Sequence, residues 1–300
     1  MSLAKNNRKV IVRLSGGMGN QLHQYAYALV FAKKFGCLVY VDKNFFKLNP
    51  RKLKITKRKY ELSNFAFNVE AAHFFLSNYY VFNFFNRIPG LRLFLEKALK
   101  IKIINSREDI NEIDAGINTF YVNGVFGSIS DYEIVEAEIK KMFCPNPLIQ
   151  SKLSAIPELM VKKGSVAVHV RRTDYLNDDS IHEVLSTSYY RAAMDLVKKK
   201  IGDPNFYFFG DDEKWIRENL IQPGNPNHKF INYKDGPNAY LFDFFAMKYC
   251  ENIIISNSTF AWWAAYLNDD ENRTIVVPGK WLKNKELNLN ELYLNDWHVI

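Results

Sequence analysis

Four polar segments carry residue types that could do chemistry. The first is Gly16-Gly17-Met18-Gly19-Asn20-Gln21, a glycine loop ahead of an apolar-periodic run. Glycines let backbone N–H groups approach an anion at a helix start. The loop is not a dinucleotide fingerprint, because Leu22 stands at the third glycine position, and no Gly-Lys-Ser/Thr follows to make a P-loop. By spacing alone, a tight strand-to-helix turn explains it better. The second is His169-Val170-Arg171-Arg172-Thr173-Asp174-Tyr175. A guanidinium fork matches a pair of phosphate oxygens and is always charged. A solvated charge run would cover a helix face, whereas these arginines abut an apolar run. The third is Gly210-Asp211-Asp212, where an acid either caps a helix or accepts from a hydroxyl or base. The fourth is Ser256-Asn257-Ser258-Thr259-Phe260-Ala261-Trp262-Trp263, either an anion cradle or a plain cap followed by core tryptophans.

Some chemistries find no residues. No Asp-x-Asp triplet, HExxH or CxxC occurs, and the three cysteines, Cys37, Cys144 and Cys250, form no disulfide or zinc pattern. The expectation is no metal and a reducing compartment. An enzyme releasing a diphosphate here would lean on arginine and helix N-termini instead.

The elements that hold these segments follow from periodicity. Lys9–Leu14 reads as a buried strand, Gln21–Phe35 as a helix stopped by Gly36, and Cys37–Val41 as a second strand: a βαβ unit. Residues 42–118 are irregular, with short helices expected. Thr119–Phe126 reads as a strand, and Asp131–Phe143 and Leu148–Lys162 as helices. The pair Pro145 and Pro147 together with Gly164 bracket a domain boundary. From Ser165 the alternation is regular: strands at Ser165–Val170, Phe206–Phe209, Phe230–Asn232, Asn252–Ser256 and Thr274–Val277, with helices between. That is a doubly wound α/β domain, whose ligands bind beyond the carboxyl ends of its strands. All of the last three polar segments sit at such ends.

Composition is globular, with 48% apolar and 24% charged residues, and excludes a disordered or collagenous chain. A net charge of +8 suits anionic partners. The polar N-terminus and the lack of a long apolar run point to a cytoplasmic protein without a secretory leader. Arg51–Lys59 and the aromatic stretch Phe74–Phe85 are candidates for acceptor or membrane contact, although a solvated hairpin and packed rings explain them as well.

In combination the segments are specific. GGMGNQLHQYAYA, VAVHVRRTDY, FFGDDEKWI and the run from Asp243 through CENIIISNSTFAWWAAYL to VVPGKW resemble the α-1,2-fucosyltransferases of glycosyltransferase family 11, in the same order and over most of the chain. The resemblance implies an α/β fold of GT-B type with two Rossmann-type domains and a central cleft. Residues 1–160 would form an acceptor-side domain with a donor-facing glycine loop, and 161–300 the donor-binding domain. It implies GDP-fucose as co-substrate, no cofactor, and metal-independent transfer with inversion to a hydroxyl, O2 of a terminal galactose. The acceptor would be an oligosaccharide or a lipid-linked glycan, with peripheral contact at the inner face of the cytoplasmic membrane.

Roles carry over by position. Arg171 would grip the donor β-phosphate, with His169 and Arg172 in support and Asp174 holding the loop. Gly17, Gly19, Asn20, Gln21, Asp211, Asp243, Ser258, Thr259 and Phe260 would line the donor. Asp174 and Asp179 are candidate general bases, and His23, on the acceptor side, is a third. His23, Thr173 and the stretch near Gly124 depart from the usual pattern, which leaves acceptor and linkage open. Another GDP-sugar, another fucosyl linkage, and a non-catalytic nucleotide or RNA binder are the competing readings; no RNA-binding signature supports the last, so no nucleic-acid partner is expected.

Overall fold

The computed structural model describes residues 8–48, 57–72, 84, 87–107, 109–110, 116–124, 127–153, 156, 163–177, 181–232 and 238–300. Asp179, most of the basic run Arg51–Lys59 and most of the aromatic stretch Phe74–Phe85 lie outside them. The chain divides into two compact units, Met1–Asn146 and Pro147–Ile300. The division falls at the proline pair.

The first unit runs β1 (Lys9–Arg13), α1 (Met18–Phe35), β2 (Leu38–Asp42), β3 (Glu70–Ala71), α2 (Pro89–Leu99), β4 (Ile101–Ile104), β5 (Thr119–Val122), α3 (Ile129–Glu133) and α4 (Glu136–Met142). Its sheet is parallel with order β3-β2-β1-β5-β4. Val10, Ile11 and Val12 are buried in succession, as a strand covered on both faces requires. α1 starts inside the glycine loop, three residues earlier than the sequence suggests, because glycine and Met18 accept helical geometry once Gly17 stands at the N-cap. It stops where Gly36 turns left-handed and donates its N–H to Ala32 O. The expected helix Asp131–Phe143 is two short helices. Ser128 and Asp131 form a capping box that starts the first of them.

The second unit runs α5 (Pro147–Leu153), β6 (Ser165–Val170), α6 (Thr173–Asn177), α7 (Thr187–Ile201), β7 (Asn205–Gly210), α8 (Glu213–Asn219), β8 (His228–Phe230), α9 (Ala239–Tyr249), β9 (Asn252–Ile254), α10 (Thr259–Tyr266), β10 (Ile275–Val277), α11 (Leu289–Leu292) and β11 (His298–Val299). All pairings are parallel, in the order β11-β10-β9-β6-β7-β8. Counted from β6, this is the 3-2-1-4-5-6 order of dinucleotide-binding folds. The chain reverses direction between β6 and β9, and ligands bind outside the strand ends at such a switch point. One face of the sheet packs Val166, Val168, Phe206, Phe208, Ile254 and Val276 against α7 and α8. Trp262 and Trp263 are buried.

Gly210, the last residue of β7, pairs with Val170. A Cβ there would fall 2.5 Å from Val170 O and 2.9 Å from Ile216 Cδ1. The first of these is backbone and cannot swing aside, so glycine is what lets β7 and α8 close against the end of β6. Gly210→Ala is expected to cost about 1–3 kcal/mol in a denaturant titration, the usual range for overpacking. An unchanged midpoint would show that the strands part without strain.

Candidate functional site

The site is the mouth of the second sheet, where β6 and β9 diverge. β6 is a buried strand, apolar from Val166 to Val168, that carries one imidazole, His169, at its next-to-last position. A buried polar ring needs a partner. It finds one across the switch point, with Nδ1 hydrogen-bonded at 2.8 Å to Ser256 Oγ on the loop after β9. Tyr175 OH makes a second tie by donating to Asn257 O at 3.0 Å. Asn257 Nδ2 in turn holds Glu183 O and Trp281 O. Burial, and then the charge of Arg171, push the His169 imidazole down to about 3. It is therefore neutral near pH 7 and offers an N–H instead of a charge. Phe260 rests against its ring at a centroid distance of 5.9 Å.

Arg171 and Arg172 leave β6 in different directions. Arg171 Nη2 donates to Asp174 Oδ2, and Nε lies 3.3 Å from Asp211 Oδ2. Asp211 also accepts the Arg172 backbone N–H at 2.9 Å and the Thr173 hydroxyl at 2.8 Å, so one carboxylate ties the end of β7 to the whole arginine loop. Burial opposes the charge on Arg171, but the bond to Asp174 and the charges of Asp211 and Asp174 outweigh it and raise its pKa. Its Nη1 has no hydrogen-bond partner among the described residues. The Arg172 guanidinium instead stacks over Trp215 at 4.0 Å, with Nε 3.5 Å from Asp212 Oδ2. Asp212 caps α8 by accepting from Trp215 N–H. The two arginines thus form no single clamp: one faces the mouth of the sheet, and the other braces α8.

Ser258 is the N-cap of α10 and makes no side-chain capping bond, so its hydroxyl is not spent on its own helix. Thr259 and Phe260 follow as the first helical residues of α10, and the Ser258 N–H donates to Ser256 O at 2.8 Å, which ties the helix start to the partner of His169. Asp243 lies on α9, one residue before Phe244, whose ring contacts Phe260 at 5.3 Å. Its Oδ1 is buried with no hydrogen-bond partner. Burial pushes this carboxyl up to about 7. Among the described residues, no three His, Cys, Asp or Glu side chains gather as metal ligands would.

The other sequence-selected residues belong to the first unit and do different work. Gly17 caps α1, and a Cβ on it would lie 3.8 Å from Arg58 Nη1. Gly19 and Gln21 are buried in α1. The Gln21 amide is committed: Nε2 donates to Gly16 O and Lys59 O, and Oε1 accepts from Glu61 N–H. It therefore straps the 59–61 segment to the glycine loop. Asn20 packs under Gly16, where a Cβ would meet its Nδ2 at 2.6 Å. His23 lies in the interior, not on an open acceptor face. Its Nδ1 is 2.8 Å from Tyr132 OH, and burial pushes it down to about 3. Sequence reasoning missed Ser256 as the partner of His169, Trp215 as the seat of Arg172, and Tyr175 as a cross-tie. Ser256 and Tyr175 stood inside the selected motifs, but no spacing rule pairs residues 87 positions apart.

The raised Asp243 pKa has a sign. Folding disfavours its charged form, so its contribution to stability is present below about pH 4, its unfolded value, and is lost as pH rises through about 7. Asp243→Asn should therefore flatten the fall of Tm with pH across that window. Parallel Tm profiles for wild type and variant would contradict the assignment.

Residues 2–300 match the family model for glycosyl transferase family 11. The chain is 27% identical to the O-antigen biosynthesis glycosyltransferase WbnK of Escherichia coli, over 95% of this chain and 98% of that one. It is 24% identical to an alpha-1,2-colitosyltransferase of Escherichia coli, over 93% and 94% of the two chains. The fold is similar to that of the NodZ alpha-1,6-fucosyltransferase co-crystallized with GDP, with a TM-score of 0.51 at 16% identity over 86% of this chain and 91% of that one. It is also similar to that of an Arabidopsis thaliana FUT1 variant in complex with GDP, with a TM-score of 0.55 at 11% identity over 96% and 74%. These neighbours make the mixed α/β architecture one of GT-B type. With its whole length matched, the chain belongs to glycosyl transferase family 11 and is a glycosyltransferase.

Proposed function

We propose that this glycosyltransferase moves L-fucose from GDP-β-L-fucose to O2 of a terminal galactose on a glycan, with inversion and without a metal ion. The observation that carries the reading is Arg171. It is held charged by Asp174 and Asp211 at the end of the strand whose His169 bonds Ser256, with Nη1 uncommitted. The names of the relatives support the alpha-1,2 linkage. One is an alpha-1,2-colitosyltransferase, and a bovine galactoside alpha-(1,2)-fucosyltransferase 1 is 34% identical over 34% of this chain. Fold neighbours carry GDP or were soaked with GDP-fucose.

In this mechanism the acceptor hydroxyl attacks the anomeric carbon from the face opposite the nucleotide. The C–O bond to the β-phosphate breaks as positive charge builds on the sugar ring and negative charge on the leaving diphosphate. Arg171 meets that negative charge. The N-terminal end of the α10 dipole, which begins at Thr259, adds to that attraction. Neutral His169 fixes Ser256 and supplies an N–H. Asp211 and Asp174 set the arginine's rotamer, and the unpartnered Asp243 Oδ1 is placed to accept from a nucleotide N–H or hydroxyl. Arg172, through Trp215, keeps α8 seated.

Arg171→Ala should lower kcat/KM in a GDP-fucose transfer assay by ~100-fold or more, about 3–4 kcal/mol, the scale of losing one strong transition-state donor. Arg171→Lys should fail as well, since an ammonium cannot reach both carboxylates and an oxyanion. Near-normal turnover in either variant would refute the assignment. The colitosyltransferase relative favours one competing reading, a different 6-deoxy sugar on the same nucleotide. Comparing kcat/KM for the fucose and colitose donors, with NMR of the product linkage, decides between them. Activity undiminished by EDTA is expected.

A further inference from the structure

α2 is inside out. Its outward residues Leu93 and Phe94 are 62% and 66% exposed, while Glu96 is buried and Arg92 nearly so. The inversion has a physical cause. β4 is an edge strand, paired only with β5. Ile103 N–H donates to Glu96 Oε1 at 2.9 Å, and Ile103 C=O accepts from Arg92 Nη2 at 2.7 Å. Arg92 Nε pairs with Glu96, and its Nη2 with Asp109, whose other oxygen accepts from Asn105 and Ser106 N–H. Arg92 and Glu96 are thus consumed in closing the sheet edge.

Edge closure does not require large apolar side chains on the solvent side, yet Leu93 and Phe94 stand there, one on each side of Lys97. Exposed apolar side chains beside cationic ones suit an interaction surface. Ile88 and Leu99 at the two ends of the helix are exposed as well, on the side of Arg92. The exposed charges among them are all positive: Arg87, Lys97 and Lys100. Glu96 is the sole acid between residues 87 and 100, and it is turned inward. Among the described residues, no helix is long and apolar enough to cross a membrane.

We propose that this face of α2 docks in the plane of an anionic lipid bilayer. Leu93 and Phe94 enter the acyl boundary, and Arg87, Lys97 and Lys100 meet the lipid phosphates. The surface lies in the first unit and stands independently of the transfer chemistry assigned to the second. The test is flotation of the full chain with phosphatidylglycerol-containing vesicles and with pure phosphatidylcholine vesicles, at low and high salt. The expected result is flotation with the anionic vesicles, weakened by salt, and a drop of about fivefold or more for Leu93→Ser/Phe94→Ser, since apolar burial and charge both contribute. Both side chains are exposed, so the variant's Tm and its transfer to a soluble galactoside should match wild type. Loss of flotation with those two intact supports docking and leaves the proposed reaction standing. Wild type that does not float, or a variant that floats equally well, overturns the proposal. So does a wild-type dimer that the double substitution turns monomeric without any flotation, because the face then belongs to a second copy of the chain.

Discussion

The second unit depends on keeping one guanidinium charged and aimed while it is partly buried. Removing a charge from water is costly unless partners compensate for it. Asp174 and Asp211 supply that compensation, but the compensation is incomplete by geometry: Nη1 stays uncommitted. A fully satisfied arginine would be a structural rivet, and an unsatisfied one would not stay put. The intermediate state suits a group that must be positioned before a diphosphate arrives and still has a donor to give it. Asp211 makes this possible by serving three donors at once, so the rotamer of Arg171 is tied to the path of its own backbone.

The second sheet was legible because each of its main strands is a short apolar run, and because each polar motif begins where such a run ends. β6, β7 and β9 were read within a residue or two, and helices stand between the strands as expected. What failed was what periodicity does not encode. β4 is four residues long and follows Lys100, a non-glycine residue in the left-handed region that closes α2. β11 is two residues and exists because β10 offers it an edge, with Ile300 N–H donating to Val277 O. α2 fell within the stretch read only as irregular with short helices, and its inward Arg92 and Glu96 run against the amphipathic rule.

The site was half legible. The motifs pointed to loops that meet at the switch point. The division of labour inside each motif was not visible. The two arginines of one dipeptide separate, because a β-strand end sends adjacent side chains to opposite sides. Gln21 and His23 sat in a motif that looked uniformly functional, yet the helix turns both inward, where one holds a neighbouring segment and the other pairs with Tyr132. Ligand-facing and load-carrying residues share a motif because the same tight turn has to be built before it can bind anything.

The clasp on Ile103 also governs how the protein can misbehave. Open sheet borders recruit foreign strands, and this border has been sealed by a donor and an acceptor borrowed from a helix. At the far border of the same sheet, β3 is only two residues long and gives an intruder little to pair with. A sheet ended in this way has little capacity to grow into fibrils, so greasy side chains can be displayed in the open without a matching ribbon of backbone to turn stickiness into aggregation.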